Sequence, residues 1–409
     1  MRLDWCLVVV GLVLGGLWAK FAISEEKKRF PDPLQDHPRN PAALIPYDQS
    51  HLHASTVYTK LQFNDLGSES QIDDRLPPQD SSGNEVGAIQ VTHLSLQVPL
   101  GFGLNFGLSA SMPSEFMRVH VLSGEERHYL RNSERSLRPE IYTALGIQLG
   151  SHWSLGLGVY HTLKATGDVQ IAVADEIRGR ALIDVKPVQI PFAGVRYQRI
   201  FGMHQLAIEM FYREASDTKA SFDTEVSVST PSLTIPTKAG ANLALFYEPA
   251  VYRGGLTYQF ENLGFFVGYE RIKWSSYQSP YFKVESEVAG PPEFDPIEFQ
   301  DSASLKVGIA QSSPLWGPHA ATLKVGYEVH TAALKSDSKN LTLVDLPHRV
   351  YRLGGEIHLG RLTEESPVNI EVGVSRLEMT SRDYDLENGE AITAGGYAVS
   401  YSGGFSVLL

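Results

Sequence analysis

The chain has 409 residues, 43% of them hydrophobic and 20% charged, with a formal net charge of −12. That charge excludes a nucleic-acid binder, which needs a basic surface against phosphates. Beyond the N-terminus no run of ~20 apolar residues offers a membrane-crossing helix. The single cysteine, Cys6, excludes a disulfide framework or a thiolate metal site in the remainder of the chain.

At the N-terminus Arg2 precedes the 12-residue apolar run Leu7 to Trp18, followed by Ala19 and Ala22. This reads as a secretory signal peptide over residues 1–19, cleaved after Ala19, with an uncleaved anchor as the alternative. Residues 20–50 form a short periplasmic segment. Within it Ile23 to Gln49 is polar, proline-rich and without periodicity.

From His51 to the C-terminus the pattern changes. In Ala321, Leu323, Val325, Tyr327 and Val329, every second residue is apolar, and polar residues or glycine lie between. Period-two alternation is the signature of a strand with one apolar and one wet face. Fourteen such strands are predicted: His51–Asn64, Gly87–Leu100, Gly103–Met112, Arg138–Gly150, His152–Ile171, Leu182–Phe201, Met203–Arg213, Tyr247–Phe260, Leu263–Ser276, Ser302–Ser312, Ala320–Ala332, Pro347–Gly360, Pro367–Thr380 and Gly395–Leu408. Four in-phase apolar positions arise by chance only ~3% of the time at this composition, so a long series is a design. Strands of ten or more residues suit a tilted membrane crossing, whereas soluble sandwiches average ~5–6.

The opposite phase carries Arg196, Glu209, Arg213, Arg253, Glu270, Lys306, Lys324, Glu328, Arg352, Glu356 and Glu371. A lipid-facing charge at the bilayer midplane costs ~2–4 kcal/mol, which assigns this phase to a lumen. Gly107, Gly156, Gly158, Gly194, Gly268, Gly308 and Gly373 share it, leaving space or allowing curvature. Short connections follow every even-numbered strand, and the alternate connections are mostly long, as in Asp65–Val86 and Glu214–Phe246. Short periplasmic turns and long external loops are the rule for outer-membrane barrels, so both termini are expected in the periplasm. Residues 51–409 are thus read as an all-β, fourteen-stranded antiparallel transmembrane barrel. Its last strand, with Tyr401, Phe405, Val407 and Leu409 on one face, resembles the signal that barrel assembly machinery reads.

Several short segments then point to one family. Asn40-Pro41-Ala42-Ala43-Leu44 stands just before the first strand. Tyr247-Glu248-Pro249 precedes Gly255-Leu256-Thr257-Tyr258, Trp274-Ser275-Ser276-Tyr277 ends a strand, and Ser302-Ala303-Ser304-Leu305-Lys306-Val307-Gly308 opens the next. Together these resemble the FadL-type outer-membrane transporters of long-chain fatty acids and aromatic hydrocarbons. The resemblance implies a monomeric fourteen-stranded barrel for passive uptake of hydrophobic small molecules, without cofactor. Its surroundings would be the outer-membrane bilayer and lipopolysaccharide. It also implies a hatch closed by Asn40, Pro41, Ala42, Ala43 and Leu44, with Ala43 where glycine is common. About twenty residues separate the expected cleavage site from Asn40, too few for a full plug. Asn-Pro also favours turns without any function.

Other candidates are individual residues. Phe116 and Met117 lie in the apolar loop segment Phe116–Leu122 and could form an external landing site for substrate, or pack as an ordinary loop. Pro113 ends the strand before it, where the resemblance implies a lateral exit through the wall. Trp274, with Tyr277 and Tyr281, is either an interfacial anchor or a ligand contact. Arg196, Arg213, Arg253 and Arg352 either pair with neighbouring carboxylates or receive a substrate carboxylate, which guanidinium matches in a bidentate fashion. No catalytic motif and no metal-ligand spacing is present, so the chain reads as a non-enzyme. A polar-solute porin and a barrel lipid hydrolase are the alternatives.

Overall fold

Strands with one apolar and one wet face are stable in a membrane only when no edge is left open. The computed structural model describes residues 40–44, 50–64, 84–85, 88–114, 128–129, 139–173, 177–216, 220–230, 233–243, 248–277, 283–286, 298–315, 319–335, 343–359, 368–385 and 391–409. The signal segment, Phe116, Met117 and Tyr281 lie outside the described residues.

Fourteen long strands form the wall: β1 (His51–Asn64), β2 (Ala88–Gly101), β3 (Leu104–Pro113), β4 (Glu140–Leu149), β5 (Trp153–Val173), β6 (Ile177–Phe201), β7 (His204–Arg213), β8 (Val251–Phe260), β9 (Leu263–Ile272), β10 (Ser302–Pro314), β11 (Ala320–His330), β12 (His348–Leu359), β13 (Val368–Asp385) and β14 (Ala391–Leu408). Each pairs antiparallel with the next, and β14 returns to β1 with a register running from His51↔Leu408 to Phe63↔Gly396. The ring is closed, so no edge is exposed.

The tight connections lie at one end, beside both ends of the barrel chain. Gly150 and Gly202 take φ of 66° and 61° there, which glycine adopts without strain, while Glu261 accepts 51° in the corresponding turn. The outer face is apolar, with Leu157, Met210, Val267, Leu305 and Val372 all exposed. An apolar band of that extent around a barrel demands lipid rather than water. Aromatic rings bound it. Trp153 and Tyr197 meet near the tight turns, and Tyr212–Tyr252 and Tyr327–Tyr351 meet toward the far end.

The observed elements differ from the expected ones in informative ways. The segment Glu214–Phe246, read as a loop, contains the hairpin Ala220–Thr230 and Leu233–Leu243, and its first strand runs parallel to the upper part of β5 from Thr224↔Val169. β8 starts at Val251 rather than Tyr247, because Pro249 has no N–H to give a ladder. β13 and β14 run further than expected, past a register shift between Met379 and Arg382. The ladder of β3 with β4 is continuous from Leu104↔Ile147 to Ser111↔Glu140. That ladder stops short of Pro113, and the segment that follows Ser114 lies outside the described residues.

Candidate functional site

Inside the barrel the short 3-10 turn Pro41–Leu44 lies against β3, β4, β5 and β6 near the tight-turn end. Its fit depends on missing side chains. A Cβ on Gly107 would stand 2.6 Å from Leu44 Cδ2, one on Gly156 would stand 2.5 Å from the Ala42 nitrogen, and one on Gly194 would overlap Asn40. Ala42 and Leu44 are buried in consequence.

Polar contacts lock the turn. Asn40 carbonyl accepts from the Ala43 N–H at 3.0 Å, and its side-chain Oδ1 accepts from the Ala42 N–H at 3.0 Å. Asn40 Nδ2 donates to Glu209 Oε2 on β7 at 3.3 Å, while Ser154 Oγ on β5 donates to the Ala42 carbonyl at 3.0 Å. Glu209 is held in turn by Arg196, at 3.2 Å. Arg196 thus sits behind the turn.

One layer further from the tight turns the lumen becomes aromatic. Tyr142, Tyr160, Ile190, Phe192, Phe211 and Val251 form one buried cluster. Tyr142 stacks on Tyr160 at 4.6 Å and meets Phe192 edge-on at 5.7 Å. These six residues sit in the phase reserved for polar groups, so they line the interior and not the lipid face. Arg213 lies over the Tyr160 ring at 4.8 Å and pairs with Glu248 at 2.6 Å, both side chains 9% exposed. Glu248 also accepts from Tyr160 OH at 3.3 Å. Arg253 lies over Phe211 at 5.6 Å and is bonded to Glu270 through Nε at 2.9 Å.

The opposite wall is a polar ladder. Glu328, 1% exposed, receives Arg352 at 2.9 Å, His330 at 3.0 Å and Lys306 at 3.8 Å. Lys324 pairs with Glu356 at 2.6 Å, and His53 with Glu371 at 2.6 Å. Apart from His330, which neighbours Glu328 along β11, these pairs run across strands. Lys324 on β11 pairs with Glu356 on β12, because cross-strand neighbours lie closer than residues four apart on one strand. The lumen therefore has one aromatic wall and one charged, internally neutralised wall.

Trp274 belongs to a separate cluster at the far end. It stacks on Phe299 at 6.2 Å, and Tyr277 meets Phe299 edge-on at 4.7 Å beside Leu334. Asp301 fastens this cluster. Burial opposes its ionisation, but hydrogen bonds from Ser275 and Arg271 outweigh that and hold its carboxyl below the usual range. A depressed folded-state value contributes stability above the unfolded value of about 4, which is lost as pH falls through the folded one. We predict that Trp emission shifts as pH drops below about 4, and that Trp274→Phe abolishes the shift. Asp301→Asn should show the acid-type emission at neutral pH, at a stability cost of ~0–1 kcal/mol because Arg271 is half exposed.

The aromatic cluster, Ser154 and Glu248 were not singled out as site residues from the sequence. The available signal was aromatic residues at lumen-phase positions, where small or charged residues are the norm.

The barrel is similar to that of a Pseudomonas aeruginosa FadL homologue, with a TM-score of 0.58, 14% identity, and 90% of this chain and 92% of that one covered. The TodX deltaS2S3 mutant monoaromatic hydrocarbon channel gives a TM-score of 0.53 at 13% identity, covering 90% and 93%. The toluene transporter TodX of P. putida gives 0.50 at 14%, covering 90% and 92%. No family model and no curated protein matches the sequence. The chain has the fold of FadL-type barrels.

Proposed function

We propose that this chain is a FadL-type outer-membrane channel for passive uptake of hydrophobic small molecules. The observation that carries the reading is the aromatic cluster on Tyr142, Tyr160, Phe192 and Phe211, placed directly beyond a turn seated on three glycines. A pocket of rings next to a polar-locked plug suits a solute that leaves water by binding aromatic surface. The similar structures, described as a toluene transporter and a monoaromatic hydrocarbon channel, support the same class. Asn40, Pro41, Ala42, Ala43 and Leu44 act as the hatch.

Arg196, Arg213, Arg253 and Arg352 each face a protein carboxylate, which favours uncharged aromatic hydrocarbons over fatty-acid anions. The termini lie in the periplasm, and barrel assembly machinery inserts the chain, which acts as a monomer. Residues 1–19 are removed on export, 20–50 supply the hatch, and 51–409 form the channel. Deleting the gene should slow alkylbenzene uptake severalfold and leave sugar uptake unchanged. The polar ladder around Glu328 favours a second reading, a polar-solute porin. Lost sugar flux in the deletion strain, with normal alkylbenzene uptake, would establish that reading instead.

A further inference from the structure

On the outer face of a membrane barrel a cation is expensive at the midplane and cheap at the interface. Outward cations therefore mark the boundary, and three of them gather on one quarter of this barrel. Lys60 on β1, Arg349 on β12 and Arg376 on β13 point outward and are exposed.

Register places them together. Tyr351, Arg376, Val399 and Lys60 form one row across β12, β13, β14 and β1. The next row, further from the tight turns, holds Arg349, Glu378, Tyr397 and Gln62. The row on the other side is apolar: Leu353, Val374, Tyr401 and Tyr58. Two strand spacings separate Arg376 from Lys60, or ~10 Å. Arg349 stands diagonally from Arg376, ~7–8 Å away.

The patch carries more positive charge than it neutralises. Glu378 is the one carboxylate in these rows and meets Arg376 at 2.9 Å, while Arg376 also lies 4.9 Å over the Tyr397 ring. Lys60 and Arg349 have no carboxylate partner among the described residues. Arg271 on β9 shows the contrast: it also faces outward, but Asp301 neutralises it at 2.6 Å. Three cations above a belt of exposed tyrosine and aliphatic side chains form an amphipathic surface. It matches a ligand with phosphates at one level and acyl chains below.

We propose that Lys60, Arg349 and Arg376 form a binding site for the phosphorylated headgroup of a lipid A-type glycolipid. Its acyl chains run down Leu353, Val374, Tyr401 and Tyr58. The guanidinium groups take phosphate oxygens in paired hydrogen bonds, and Lys60 adds a point charge. Placing such a lipid beside the patch rests on the outer-membrane reading above, with the tight turns in the periplasm. The site itself is independent of what passes through the lumen.

The test is binding of purified lipopolysaccharide to the full chain in detergent, followed by native mass spectrometry. The triple variant Lys60→Gln, Arg349→Gln, Arg376→Gln should lose at least about tenfold in affinity. Its heat-modifiable mobility and alkylbenzene uptake should stay unchanged. Arg271→Gln, on another part of the rim, should bind as the parent does. For the unmodified chain, enzymatically dephosphorylated lipid A should bind at least about tenfold more weakly than the bisphosphorylated form. That comparison decides the matter even if the triple variant fails to fold. Equal affinity for the two lipids, or equal loss in Arg271→Gln and the triple variant, would overturn the site. Neither result bears on the uptake assay, so failure here and failure of the transport reading are distinguishable.

Discussion

On the proposed hatch reading, Gly194→Ile will eject the Asn40–Leu44 turn from the lumen and produce steady single-channel conductance that the parent lacks. A Cβ at position 194 already overlaps Asn40 Oδ1 and comes within 3.1 Å of Pro41 Cδ. Asn40 cannot yield, because its Oδ1 is committed to the Ala42 N–H at 3.0 Å and its Nδ2 to Glu209 at 3.3 Å. Keeping the turn in place would strand these buried groups at ~1–3 kcal/mol each. Releasing it forfeits the burial of Leu44, ~2 kcal/mol, and is the easier relief. Gly403→Ile is the matched control, since a Cβ there meets nothing within 4 Å. Planar-bilayer recordings should show the parent and Gly403→Ile silent and Gly194→Ile open. A parent that conducts steadily without any substitution would remove the hatch from the mechanism.

The barrel was readable in the sequence because alternation and lipid contact impose the same period on every strand. Outward positions such as Leu305, Val307 and Ile309 must be apolar whatever their neighbours do. The lumen is less legible. The phase of Gly107, Gly156 and Gly194 follows from alternation, but that all three seat one turn depends on contacts across more than sixty residues of chain. The hairpin Ala220–Leu243 is hidden in the sequence because its alternation mixes polar with apolar residues and Pro236 interrupts it. Arg213 and Glu248 lie in different parts of the chain, one ending a strand and the other preceding one, so their union could not be read from spacing. Charge type told that each arginine needs a partner; only the fold shows that the partner is already in the protein.

That distinction leads to the largest stability effect. Arg213→Met should destabilise the barrel by ~3–5 kcal/mol, because it leaves Glu248 ionised and buried with no cation. The pair is enclosed by Tyr160, Tyr142 and the Pro249 carbonyl, which Arg213 Nη2 also reaches at 3.4 Å. Water cannot readily replace the lost guanidinium there. The double variant Arg213→Met, Glu248→Leu removes both charges and should recover most of the loss, since a buried pair and an apolar replacement of similar volume are often equivalent. The temperature at which heat-modifiable mobility is lost measures both effects. The same variants separate two roles for Arg213. If the arginine only neutralises Glu248, the double variant takes up alkylbenzene and fatty acid as the parent does. If it receives a substrate carboxylate, the double variant loses fatty-acid uptake while alkylbenzene uptake survives. Its close partnership with Glu248, and its stacking on Tyr160, favour the first outcome. A single variant within about 1 kcal/mol of the parent would show that the pair behaves as an exposed one and that this part of the lumen is wet.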